Sequence, residues 1–248
     1  MKVKFSVLFA VLILIMQVMN AQENKKEITF KSADDVSVSG DLYLTAEKYA
    51  AFIILFHQAG YSRGEYIETA PKFNEMGFNC LAIDQRSGEE VNGIVNQTYI
   101  EAKKKGLKTK YPDAMPDLEA AIDYIIKNYN PKKLIILGSS YSASLSLILA
   151  SKYPDKIDAV LAFSPGEYFK IDDKEIKDFA VNIKIPVFIT SAKLEKLMWN
   201  KIFEAIPEEF GTSFLPEVKS IHGSRALWSK QKGAEACWNA VEEFLDKL

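Results

Sequence analysis

Ser140 stands in Gly138-Ser139-Ser140-Tyr141-Ser142, directly after the apolar run Leu134 to Leu137 and before a helical pattern that resumes at Leu145, Leu147, Ile148 and Leu149. A serine on such a strand-to-helix turn is held in a strained conformation with its hydroxyl thrust outward, and small residues two before and two after it relieve the crowding. Ser140 has Gly138 and Ser142 at those positions, whereas Ser139 has Leu137 before it and Ser142 already lies inside the helix. The spacing selects Ser140 as a nucleophile for acyl transfer. The same residues also suit a polar loop whose serines cap the next helix.

A serine hydroxyl is a weak nucleophile at neutral pH and needs an adjacent base, which in turn needs an acid to fix its tautomer. The chain has two histidines. His222, in Ser220-Ile221-His222-Gly223-Ser224, falls between the last strand-like run and the C-terminal helix and is the candidate base. Glu195, a few residues past the run Pro186 to Thr190, is the candidate acid, with Glu167 in Ser164-Pro165-Gly166-Glu167 as its rival. Glu195 would also suit a helix N-terminus, where a carboxylate is favoured by the dipole.

Acyl transfer also needs two N–H donors aimed at the oxyanion, each worth roughly 3 kcal/mol. Tyr141 N–H follows the nucleophile and supplies one. The other is expected from Phe56-His57-Gln58-Ala59-Gly60, where Ala59 is favoured and Gln58 is the alternative. His57 then reads as a residue that braces this loop.

These residues need elements to position them. The runs 51–56, 79–83, 134–137, 159–163 and 186–190 are short, rich in branched apolar residues and fit strands buried on both faces. Helical spacing separates them at about 66–76, 114–129, 142–152, 194–206 and 234–248, so strand and helix alternate around a parallel sheet. Residues 27–31 and 36–44 alternate polar and apolar positions around Asp34-Asp35 and predict an antiparallel edge hairpin. A last strand is expected at Ser213 to Leu215. The stretch 86–112 is poorly patterned and reads as a long loop.

Met1-Lys2-Val3-Lys4, an apolar run from Phe5 to Met16 and a small residue at Ala21 have the layout of a secretory signal peptide. The expectation is a leader at 1–21, one domain at 22–248, and a periplasmic or secreted protein. Formal net charge is −2, with no long basic stretch, which argues against a nucleic-acid partner. With Cys80 and Cys237 the only cysteines, core packing rather than a disulfide framework must stabilise the domain, and both are expected to be buried free thiols. No Cys-x-x-Cys or His-x-x-x-His spacing is present, and no catalytic metal is expected.

His57-Gln58-Ala59-Gly60, Asp84-Gln85-Arg86-Ser87-Gly88, Gly138-Ser139-Ser140-Tyr141-Ser142 and His222-Gly223 together resemble the α/β-hydrolase superfamily, over residues 27–248. The resemblance implies an eight-stranded, mostly parallel sheet, a Ser140–Glu195–His222 triad in that chain order, and an acyl-enzyme mechanism without cofactor. Two positions depart from the commoner pattern: serine replaces glycine at 142, and Gln58 replaces glycine after His57. Only Gly166 to Ile185 separate two strands where larger members insert a lid, so a lidless domain of esterase or dienelactone-hydrolase type is expected. Pocket walls must come from neighbouring loops, which offer Tyr61, Arg63, Arg86, Tyr99, Tyr168 and Phe169. The expected substrate is a small or medium carboxylic ester. A peptidase or amidase, and a non-catalytic exported binding protein of the same fold, stay open.

Overall fold

The computed structural model describes residues 25–47 and 50–248, so the expected leader peptide lies outside the described residues. The antiparallel hairpin forms as anticipated, from β1 (Lys25–Lys31) and β2 (Ser37–Tyr43), turning at Asp35, whose φ is 63°. The chain then alternates through β3 (Phe52–Phe56), α1 (Thr69–Glu75) and β4 (Asn79–Ile83). A small hairpin follows, β5 (Glu90–Val91) with β6 (Ile94–Val95), then α2 (Gln97–Lys104) and α3 (Met115–Tyr129). The second half runs β7 (Leu134–Ser139), α4 (Tyr141–Lys152), β8 (Ala159–Phe163), α5 (Ile176–Ala180), β9 (Val187–Thr190), α6 (Lys196–Ala205), β10 (Gly211–Phe214) and α7 (Ala234–Leu245).

Eight strands form one sheet in the order β1-β2-β4-β3-β7-β8-β9-β10, parallel from β4 to β10 and antiparallel at β1–β2 and β2–β4. Successive strand side chains point to opposite faces, and this divides the core in two. Phe52, Ile54 and Phe56 of β3 pack with α3, α4, α5 and α6, while Ile53 and Leu55 pack on the other face with α1 and α7. Every residue of β3, β4, β7, β8 and β9 is buried, which is why these strands read as continuous apolar runs rather than alternating ones. Cys80 and Cys237 are buried and unbridged.

The stretch 86–112 is more ordered than its pattern predicts. Asn96 caps α2 by accepting Tyr99 N–H at 2.7 Å, and only Thr98 and Ala102 of that helix are buried. A helix that buries two small residues leaves almost no hydropathic period. Between β8 and β9 the chain carries only the five-residue α5, and no lid domain is inserted.

Parallel register aligns the strand ends that matter. Phe56 pairs with Gly138, Ser139 with Phe163, and Phe163 with Thr190, so the segments following β3, β7, β8 and β9 emerge on one edge. This is where a parallel sheet presents its chemistry.

Candidate active site

Ser140 sits at φ 62°, ψ −121°, a conformation rarely held by a residue with a side chain and one that stores local strain. Several contacts enforce it. Ser140 N–H donates to Phe163 O at 2.8 Å, and Ala143 N–H donates to Ser140 O at 3.0 Å. Gly138 is required here, since a Cβ at that position would come within 2.5 Å of Ala143 N, Ala143 Cα and Ser142 O, all backbone atoms.

The serine at 142 is built into this turn. Its buried hydroxyl oxygen accepts Ser139 N–H at 2.9 Å, and its proton reaches Phe56 O at 2.7 Å or Ser139 O at 2.9 Å. The departure from glycine therefore ties the end of β3 to the Ser140 turn rather than crowding it.

Glu195 closes a short 3-10 turn immediately before α6, and its carboxylate faces His222, with His222 Nδ1 2.9 Å from Glu195 Oε1. Glu195 Oε2 accepts the Ser164 hydroxyl at 2.7 Å, and Ser164 Oγ in turn accepts Gly223 N–H at 2.9 Å. Burial alone would raise the Glu195 pKa, but the hydrogen bonds from His222 and Ser164, with the attraction of His222, outweigh it and hold the carboxyl below its ordinary value. Glu167 is occupied elsewhere: its two oxygens accept Ile176 N–H and Lys177 N–H at the start of α5.

Among the described residues no hydrogen bond joins Ser140 to His222. The two loops are nevertheless fastened together, because Ser224 N–H donates to Ser139 Oγ at 2.9 Å. The Tyr168 hydroxyl donates to Ser164 O at 2.8 Å, and burial raises its pKa.

The oxyanion candidates separate clearly. Gln58 N–H is consumed by Glu65 Oε2 at 2.8 Å. Neither Ala59 N–H nor Tyr141 N–H meets an acceptor among the described residues, as expected for Tyr141 in the first turn of α4. His57 is fully buried and braces the loop: Gln85 N–H donates to Nε2 at 3.1 Å, leaving Nδ1–H to donate to Gln58 O at 2.7 Å.

The Ser140 turn, set between β7 and α4 of the eight-stranded sheet, falls inside the segment that a family comparison matches. The profile of the serine aminopeptidase S33 family matches residues 47–187, more than half of the chain. The chain belongs to that α/β-hydrolase family.

The S33 match takes in the loop after β3 and the Ser140 turn and ends before Glu195 and His222. A curated relative, protein usf of Aquifex pyrophilus, is 26% identical over 136 residues, which make up 54% of this chain and 55% of that protein. The match thus spans about half the length of the relative. Among solved structures, an esterase from Pyrococcus furiosus superposes with a TM-score of 0.69 at 18% identity, over 90% of this chain and 92% of that one. A dienelactone hydrolase from Anabaena variabilis superposes with a TM-score of 0.68 at 15% identity, over 90% and 98%. An acylaminoacyl peptidase from Pyrococcus horikoshii gives a TM-score of 0.64 at 14% identity, over 90% of this chain but 41% of that one. At these identities the likeness establishes the fold.

Two of the expected wall residues are not available to a ligand in this S33 member. Arg63 is paired with Asp84 at 2.7 Å and Asp41 at 3.0 Å, and Arg86 with Asp117 at 2.6 Å and with Asp34, so both hold the scaffold together. Tyr99 lies on α2. Tyr111 stacks on Tyr141 with ring centroids 4.7 Å apart and meets Phe169 edge-on at 6.5 Å, forming an aromatic wall beside the serine turn. Ser164 and Glu65 were not recognisable from sequence as parts of the site. Ser164 could have been suspected from its place directly after β8.

Proposed function

We propose that the protein is a serine hydrolase, most specifically a carboxylesterase that turns over small or medium esters through an acyl-enzyme. The observation that carries this reading is the convergence, on one sheet edge, of the strained Ser140 with the His222–Glu195 pair. His222 directs Nδ1 to Glu195, so Nδ1 carries the proton there and Nε2 is left to accept one. In this reading Ser140 Oγ attacks the ester carbonyl as His222 Nε2 takes its proton. Ala59 N–H and Tyr141 N–H receive the oxyanion. The tetrahedral intermediate collapses, His222 returns the proton to the departing alcohol, and water, activated in the same way, releases the acid.

A fluorophosphonate probe tests the assignment directly. A stoichiometric adduct on Ser140 is expected, with none in Ser140→Ala and a much slower one in His222→Ala. An intact, folded protein that forms no Ser140 adduct overturns the proposal.

The S33 family description supports a second reading, an aminopeptidase or amidase on the same residues. A panel of p-nitrophenyl esters against aminoacyl p-nitroanilides separates the two, with ester turnover expected to dominate. The leader-like residues 1–21 support export, for which the mature chain is expected to begin at Gln22, read by N-terminal sequencing of the exported protein.

A further inference from the structure

Glu65 is fully buried, lies outside the Ser140–His222–Glu195 constellation, and forms no salt bridge among the described residues. Taking a carboxylate out of water without a paired cation is expensive unless its oxygens are filled by donors. Burial pushes its pKa up, against hydrogen bonds from Ser224, Gln58 N–H and Ser139.

Those three donors come from three separate parts of the chain, the loop after β3, the end of β7 and the turn that follows His222. Oε2 accepts Gln58 N–H at 2.8 Å, in the residue before Ala59. Oε1 accepts the Ser139 hydroxyl at 2.8 Å, in the residue before Ser140, and the Ser224 hydroxyl at 2.6 Å, two residues after His222. Ser139 and Ser224 are further joined by the Ser224 N–H bond to Ser139 Oγ, so the carboxylate closes a ring of contacts beneath the site.

The carboxylate is also presented from a firm base. It belongs to the 3-10 turn Arg63–Tyr66, where Ser62 Oγ accepts Gly64 N–H at 3.1 Å. Arg63 N–H donates to Asp84 Oδ1 at 2.8 Å, while its guanidinium grips Asp41 and Asp84. Trp228 Nε1–H donates to Glu65 O at 2.8 Å from the far side. A side chain anchored in this way transmits the position of the sheet to whatever it binds.

We propose that Glu65 is a positioning residue that holds the oxyanion loop, the nucleophile turn and the histidine loop in register with one another. The proposal rests on the serine-hydrolase reading for its catalytic consequence, and on geometry alone for the coupling of the three loops. Misplacement of catalytic groups by about 1 Å costs on the order of 100-fold in rate, and here three groups depend on one carboxylate.

Glu65→Ala and Glu65→Gln test it together. Glu65→Ala leaves all three donors unpaired. Glu65→Gln keeps one oxygen for Gln58 N–H while its amide can donate to the two serine hydroxyls, so it is the rescuing variant. The expected result is a fall in kcat of roughly 100-fold for Glu65→Ala with KM within about threefold, and recovery of most of that loss in Glu65→Gln. Amide exchange in Glu65→Ala is expected to quicken together at 57–62, 139–141 and 222–226, with the strands 79–83 and 134–137 still protected. If Glu65→Ala does not fold, the Ser139→Ala/Ser224→Ala variant removes two of the three contacts and is read the same way. Exchange confined to 63–66, or an unchanged kcat in a folded variant, overturns the proposal. Should the wild-type protein fail to take the fluorophosphonate, the hydrolase reading falls, and the exchange pattern still decides whether Glu65 couples the loops.

Discussion

His222 Nδ1 lies 2.9 Å from Glu195 Oε1, and the second oxygen of that carboxylate is held by Ser164. The pair is thus oriented from both ends. Glu195→Gln places an amide where His222 Nδ1–H needs an acceptor and favours the wrong tautomer, for which a loss of roughly 10³- to 10⁴-fold in kcat is expected. Ser164→Ala leaves the pair intact but strips one hydrogen bond from the carboxylate and the acceptor from Gly223 N–H. A smaller fall, about 10- to 100-fold, is expected, corresponding to about 1–3 kcal/mol. Steady-state kinetics on one ester measures both, and equal losses would show that Ser164 does more than orient Glu195.

The hydroxyl of Ser142 bridges Ser139 N–H and the end of β3. Ser142→Gly brings the turn to the more usual Gly-x-Ser-x-Gly pattern and yet is expected to destabilise the protein by about 1–3 kcal/mol, because it leaves a buried N–H without its acceptor. It is also expected not to raise activity. Urea unfolding with a constant m-value, alongside ester turnover, checks both halves.

How much of this was legible in the sequence follows from what each residue does. The five buried strands announce themselves because both faces are covered; the candidates Ser140 and Glu195 follow from where strands end, and His222 from its place between the last strand and the C-terminal helix. Helix α2 was hidden because its buried face is Thr98 and Ala102, and only the Asn96 cap marks it. Glu65 was hidden for a deeper reason. Its partners Gln58, Ser139 and Ser224 are 7, 74 and 159 residues away along the chain, and no local spacing encodes a contact that the sheet alone brings about.

Gly223 has φ 72° and ψ −169°, a region essentially reserved for glycine, and a Cβ there would sit 2.5 Å from Ser139 Oγ and 2.6 Å from Gln58 Oε1. Gly60 has a similar φ of 73° but open space around it. Gly223→Ala is therefore expected to lose the backbone term, about 1–3 kcal/mol, plus the cost of displacing two buried polar side chains. Gly60→Ala is expected to lose the backbone term alone. Calorimetry on the two variants, with the larger drop in Tm for Gly223→Ala, checks the difference, and activity should fall further in that variant because its loop carries His222.

Burial lowers the pKa of His57 from 6.5 to about 4, and hydrogen bonding to Gln58 and Gln85 only partly offsets this. Between those values an unfolded chain takes up a proton that the folded protein refuses, so this residue makes stability fall as pH drops from 6.5 towards about 4. Its share is on the order of 3 kcal/mol, complete only below the folded value. Glu65, Asp84 and Asp117 are raised by burial and act with the opposite sign, while Glu195 and Asp34 are lowered and act with the same sign as His57, so a melting curve reports only the sum. The measurement that isolates His57 is a nitrogen-resolved NMR titration of its ring. Because Nε2 accepts from Gln85 N–H and Nδ1 faces Gln58 O, the expected spectrum is that of the Nδ1–H tautomer, unchanged from pH 8 to 5 and protonating only near pH 4. A midpoint near the ordinary value of 6.5 would mean that water reaches the ring and that His57 does not brace the loop after β3 in the way its contacts describe.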